Sequence, residues 1–328
     1  MMDDSVKPER AAPASASPGQ TPYSAWMRTD VLHSLQHPVS DHPGEHAWIT
    51  SVQVSELYWM LIIKELRIAQ AQLRANDLTQ AIKTLQRVVA HHEPLNATWR
   101  SLAWMTPTDL LAILSRAVAT FGKDTALQGW TYRQMVYLLG IKQVEHLQHF
   151  EPQPARWDQL NTTLHQPSVY DDVLGYLDRH GFPVPAAVFQ RDFSQPYTPS
   201  KDVEKAWRDV YADPHQHIEL QRLGETLADV AEGFSAWKHL HLMATRRTFG
   251  ARPAYFGTEG VAWLVPTMAE IPFPELWSAR GFIGDPPAAC PHMHKQGAHS
   301  NEPYDIDESG GRCPCRHCRS RADHYRWG

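Results

Sequence analysis

Apolar side chains recur at steps of three and four through most of residues 48–250, and that spacing predicts helices rather than strands. From Trp48 onward, Leu57, Leu61, Lys64 and Ile68 follow one helical stripe, and Tyr58, Ile62 and Leu66 follow a neighbouring one. This helix is apolar over a wide arc and belongs near the centre of the fold. A second long helix is predicted from Leu78 to Leu102, with Pro94 expected to kink or split it. Met105-Thr-Pro-Thr-Asp-Leu110 reads as a break and a new start, with Thr106 as N-cap and Pro107 at the first helical position. Further helices are predicted over Thr131–Leu139, stopping at Gly140, and over Ser168–Arg179, stopping at Gly181. Lys201–Ala212 and His217–Gly250 complete the set. Period-two alternation is scarce, so the expected class is all-α, a single large helical domain over residues 45–280. Residues 1–44 are rich in Ala, Pro, Ser and Asp and are expected to be mostly disordered, with a docking arm near Tyr23–Leu35. After Pro272 the pattern fades, and 281–328 reads as an irregular Cys/His-rich tail.

A chain of 328 residues can bury a large core. The formal charge of −5 is modest and argues against a nucleic-acid partner, which requires a basic face. No apolar run is long enough to span a bilayer, and the opening Met-Met-Asp-Asp lacks the apolar centre of an export signal. The expected location is therefore cytoplasmic. Twelve Trp and nineteen His are many for this length, and they suit either plain aromatic packing or a pocket for flat rings. The Gly-rich dinucleotide and P-loop fingerprints, His-Glu-x-x-His and Gly-x-Ser-x-Gly are all missing.

Two stretches carry candidate chemistry. On the helix ending at Gly250, Phe234, Trp237, His241, Ala244, Thr245 and Thr248 share a side. Ala244 and Thr248 are short, so a flat cofactor can approach the backbone there. His241 so framed suits an axial ligand of heme iron, and it equally suits a half-buried core histidine. The second stretch is the tail, with Cys290, Cys313, Cys315 and Cys318 among several histidines. Such a set can form a thiolate cage for zinc, attach heme covalently, or serve as an unstructured reducing tail. His91 and His92 are consecutive on the second long helix, so at most one of them can face a common pocket.

The order of short motifs resembles the tryptophan 2,3-dioxygenase superfamily of heme-dependent aromatic oxygenases. Trp48-Ile-Thr-Ser-Val-Gln-Val-Ser-Glu-Leu-Tyr58 with Lys64-Glu-Leu66 looks like that family's His-Gln-x-x-Glu-Leu-Trp … His-Glu-Leu helix. Leu95 … Trp99 … Leu102 … Met105-Thr-Pro107 and Leu127-Gln-Gly-Trp-Thr-Tyr-Arg133 … Leu139-Gly140 follow in family order. Pro167-Ser-Val-Tyr-Asp-Asp172, Ala206-Trp-Arg-Asp-Val-Tyr211, Trp237-x-x-x-His241 and Gly257-Thr-x-Gly260 continue it, so the likeness spans about residues 45–265.

The resemblance implies roles. His241 would ligate the iron of heme b, with Trp237 beside it. Arg133 would hold a substrate carboxylate, a group matched by the guanidinium fork. Without the resemblance, Arg133 reads equally as a structural ion pair. Thr258 would contact the substrate's ammonium or carboxylate, and Tyr132 and Trp130 would line the pocket. The resemblance also implies an aromatic amino-acid substrate, oxygen or hydrogen peroxide as co-substrate, and a homo-oligomer, dimer or tetramer. Departures matter as much. Val52 stands where the family has its distal histidine, so that catalytic position lacks a base or hydrogen-bond donor. Glu259 brings a charge into the Gly-Thr-x-Gly loop. These changes lead to the expectation of mono-oxygenation or ring hydroxylation of a tryptophan- or tyrosine-like L-amino acid in secondary metabolism. The alternatives are ring-cleaving dioxygenation and a non-catalytic heme or metal sensor.

Overall fold

The computed structural model describes residues 20–213, 215–250, 252 and 259–283. Two short helices come first: α1 (Pro22–Met27), capped by the Thr21 hydroxyl, and α2 (Thr29–His33). They lie inside the segment expected to be mostly disordered, and Tyr23, Trp26, Val31 and Leu32 on them are exposed. Then follow α3 (Glu45–Arg74), α4 (Leu78–Ser101), α5 (Pro107–Phe121) and α6 (Trp130–Leu138). α7 (Pro154–His165), α8 (Val169–Arg179), α9 (Ala186–Gln190) and α10 (Lys201–Ala212) come next. The long α11 (Ile218–Phe249), α12 (Val261–Thr267) and α13 (Pro274–Arg280) close the described chain. No strand occurs among the described residues, and none of their helices is long and apolar enough to cross a membrane.

The local rules explain the boundaries. Thr106 and Asp109 form a reciprocal capping box at α5, and Ser168 and Asp171 form another at α8. Gly140, at φ +94°, turns the chain just after α6, a conformation only glycine adopts without strain. Asn76 in the left-handed region joins α3 to α4 as a tight hairpin, and the Asp77 side chain caps α4.

The core is built on α4, which packs along both α3 and α11. α3 buries Trp59, Ile62, Leu66, Ala69 and Leu73, α4 buries Ile82, Leu85, Val88 and Leu95, and α11 buries Leu223, Leu227, Val230 and Phe234. Each such side chain removed from water contributes roughly 1.5–3 kcal/mol before entropy is subtracted. At Gly233 the helices come so close that an added Cβ would sit 2.9 Å from the Cβ of His92. α6 and α8 also pack against α3, and α13 packs against α10.

Pro94 does not split the second long helix, since α4 runs through it unbroken. Proline forfeits one intrahelical hydrogen bond. Buried packing of α4 against both α3 and α11 holds the helix across that gap. The chain also regains order after Pro272. α13 buries Leu276 and Ala279, and Glu275, 1% exposed, accepts hydrogen bonds from Tyr170 Oη, Tyr197 Oη and Ser200 N.

Candidate active site

Four helices bring an aromatic cluster to one place. Trp237 on α11 packs edge-on to Trp59 of α3, with centroids 5.5 Å apart, and lies 5.7 Å from Trp99 of α4 and 5.1 Å from Tyr132 of α6. One turn further along α11, His241 stacks on Trp99 at 4.8 Å with planes 11° apart. The periodicity that placed Trp237 and His241 on one side of their helix is therefore seen in the packing. His239, two residues earlier, is exposed.

The electrostatics of this cluster are unusual in one respect. The indole nitrogens of Trp59, Trp99 and Trp237 are buried and have no hydrogen-bond partner. An unpaired buried donor is costly, and several in one cluster point to an acceptor that the protein itself does not supply. No ring hydrogen bond to His241 occurs among the described residues. Burial lowers its pKa to about 4, so the imidazole is neutral at pH 7 with a lone pair free for a metal. The donor set, a neutral imidazole among flat aromatic faces and orphaned N–H groups, fits a planar macrocycle with an axial ligand and acceptor substituents.

Arg133 lies beside Tyr132 on α6 and is only 8% exposed. No carboxylate pairs with it among the described residues. Its Nη1 donates to Gln143 Oε1 across a long 3.4 Å, and its guanidinium carbon lies 5.7 Å from the Tyr132 ring centroid. Burial lowers its pKa, yet a guanidinium keeps its charge. The charge of Glu270 reaches it only at longer range, so its fork is left without a bonded carboxylate and is suited to receive one from a ligand. The start of α6 is anchored by the Thr131 hydroxyl, which donates to Glu56 of α3. Burial raises the pKa of Glu56, and this hydrogen bond opposes the rise.

Val52 lies 40% exposed on α3, on the side that carries Ser55 and Trp59 further along. Trp130 does not join the cluster. It packs against the separate cluster of Tyr137, Leu147, Phe150, Leu160 and Leu164, with the Arg156 guanidinium 4.1 Å over its ring. Two residues apart on a helix point to nearly opposite sides, and Trp130 and Tyr132 accordingly pack against different clusters. His92 is buried at Gly233 with Nδ1 on Val88 O, and His91 neighbours Tyr58 at 6.2 Å. Neither reaches the His241 stack. Thr258 and the cysteines Cys290, Cys313, Cys315 and Cys318 lie outside the described residues. Glu259 is described and exposed. Among the described residues no group of three or more His, Cys, Asp or Glu side chains is arranged to hold a metal ion.

The sequence reading missed Trp59, although it sits on the apolar stripe of α3, and it missed the polar group around Arg133. Gln143 Nε2 donates to Glu270 Oε1 at 2.5 Å, His146 Nε2 lies 2.8 Å from Gln143 Oε1, and Lys238 Nζ reaches Glu270 Oε2 at 3.5 Å. Gln143 and Glu270 are far apart in the chain, and no local pattern pairs them.

The family model described as tryptophan 2,3-dioxygenase matches residues 8–155 and 151–283. The chain belongs to the tryptophan 2,3-dioxygenase family. It is 37% identical over 258 residues to a Caulobacter vibrioides protein named tryptophan 2,3-dioxygenase, covering 79% of this chain and 97% of that one. It is 35% identical to tryptophan 2,3-dioxygenase 1 of Ralstonia nicotianae, over 79% of this chain and 86% of that one. A Ralstonia pickettii protein of the same name is 34% identical, over 79% of this chain and 91% of that one. As a member of the tryptophan 2,3-dioxygenase family, the chain matches well beyond residues 45–265, on which its short motifs fall.

Proposed function

We propose that this protein is a heme-dependent oxidoreductase that opens the indole ring of tryptophan, or a close L-amino-acid relative, by inserting both atoms of dioxygen. The relatives' shared name supports this reading above the expected mono-oxygenation. The observation that carries the substrate class is Arg133, a buried guanidinium with no carboxylate bonded to it among the described residues.

His241 would hold the heme iron through its neutral imidazole, with Trp99 and Trp237 packed around that ring. When bound, heme supplies the activation of dioxygen. The chain's own residues do the rest. Arg133 takes the amino-acid carboxylate in a two-pronged hydrogen bond and so fixes which end of the substrate faces inward. Tyr132 and Trp59 present apolar ring faces that exclude water from the indole. Thr258 is assigned to the substrate's ammonium or carboxylate. Val52 neither takes nor gives a proton, so the indole N–H keeps its proton as far as that position is concerned. The exposed Tyr23, Trp26, Val31 and Leu32 support a homo-oligomer, read by light scattering.

A second reading, mono-oxygenation, is favoured by Val52 alone. Products formed under ¹⁸O₂ separate the two. Ring opening leaves both labelled atoms in the product. Mono-oxygenation leaves one and releases the other as water, drawing two electrons from an added reductant. Arg133→Leu should weaken L-tryptophan binding about 10- to 100-fold, the worth of a lost charge-assisted pair. Unchanged binding, or a protein that takes up no heme, overturns the proposal.

A further inference from the structure

The guanidinium of Arg133 does not stand alone. Gln143 meets it with the oxygen of its amide, and the same oxygen lies 2.8 Å from His146 Nε2. Burial lowers the His146 pKa to about 3, so that ring is neutral and its N–H donates. The amide nitrogen of Gln143 faces the other way and donates to Glu270. Donors on one side and a carboxylate on the other leave the amide a single satisfactory orientation. The backbone is held too, since Tyr137, one turn beyond Arg133 on α6, donates its hydroxyl to Gln143 O at 2.8 Å. Glu270 is fixed in turn by Lys238, which bonds its backbone oxygen at 3.0 Å and its carboxylate at 3.5 Å. Lys238 follows Trp237 on α11, so a chain of polar contacts runs from the helix bearing His241 to Arg133. On its other side Gln143, with His146, walls a cavity of about 370 Å³ also lined by Ser194, Trp263 and Thr267.

We propose that Gln143, locked between Glu270 and His146, is a positioning residue that aims Arg133 and thereby sets the preference for substrates bearing a carboxylate. The inference rests on Arg133 as the carboxylate clamp. The 3.4 Å contact is long enough to orient the guanidinium without competing with an incoming anion. Removing the amide frees a long side chain to sample other rotamers beside the cavity. The penalty then appears only for ligands that Arg133 must grip.

The test compares L-tryptophan with tryptamine, the same indole and amine without the carboxylate, on the heme-loaded protein. Calorimetric Kd and steady-state KM and kcat are both read. Gln143→Leu should raise Kd and KM for L-tryptophan about tenfold, as the guanidinium loses its aim at the carboxylate and with it about one charge-assisted hydrogen bond to the ligand, with kcat within about twofold. Its Kd for tryptamine should not move. Glu270→Gln, a milder change, should shift L-tryptophan in the same direction by less. Equal shifts for both ligands would show a merely structural role, and no shift in either variant would show none; each overturns the proposal. Arg133→Leu separates the two layers. If it abolishes the preference for L-tryptophan while Gln143→Leu leaves it intact, the clamp stands and the positioning role falls. If Arg133→Leu leaves the preference intact, both fall.

Discussion

Gly233→Ala probes the closest approach in the core. The added Cβ would lie 2.9 Å from both Cβ and Cγ of His92 and 3.3 Å from its Nδ1. Carbon atoms prefer about 3.5–4.0 Å, so the shortfall is roughly 0.6–1 Å. His92 cannot swing aside. Its Cβ moves only with the α4 backbone, its Nδ1 is bonded to Val88 O at 2.9 Å, and it is 2% exposed. The helices must part instead, which also strains the bond from Asn96 Nδ2 to Gly233 O at 3.2 Å. Overpacking of this kind costs about 1–3 kcal/mol, and replacing a mid-helix glycine by alanine returns about 1 kcal/mol. The expected net loss is about 1 kcal/mol, a Tm lower by about 2–4 °C for a domain of this size. Urea and thermal unfolding measure it. Because Trp99 and His241 lie further along the same pair of helices, the variant should also loosen the stack between them. A Gly233→Ala protein more stable than the wild type would refute the reasoning, since it would mean that the contact yields freely.

Two further outcomes follow from buried polar groups. Lys142, 2% exposed, donates to the carbonyls of Thr163, Leu164 and Gln166 at the end of α7. Burial brings its pKa down to about 7, with Asp171 opposing the shift. The unfolded chain holds that proton up to about pH 10.4, so stability should rise as pH climbs from 7 toward 10. In Lys142→Met this contribution is absent, and the gap to wild type in urea should widen by up to about 4 kcal/mol over that window; a constant gap refutes it. Glu275→Ala strands three donors and should cost about 3–5 kcal/mol in thermal melts, with Glu275→Gln milder; a loss under about 1 kcal/mol would show that the network is open to water.

Much of the fold was legible because its rules are local. Thr106, Ser168 and Gly140 act within a turn of themselves, and the apolar stripes of α3 and α11 need only their own spacing. Pro94 does not split its helix because a lost hydrogen bond is a local fact, whereas the packing that outweighs it comes from α3 and α11. α13 was missed since seven residues hold too little pattern to show, and its order comes from contacts of Glu275 with distant tyrosines. Trp237, His241, Tyr132 and Arg133 were legible as members of motifs. Gln143, Glu270 and Lys238 were not, because a polar side chain in a loop carries no period and its partners are set only once the helices are assembled.

Trp237 has Trp59 edge-on at 5.5 Å and Trp99 tilted against it at 5.7 Å. At such separations light absorbed by one indole is passed to the next, and the three behave as one antenna. A visible-light-absorbing ring seated among them would drain that energy before it is emitted. If heme binds at His241 as proposed, the protein carries its own label: the ultraviolet glow of this trio would dim as the centre fills and return as it empties.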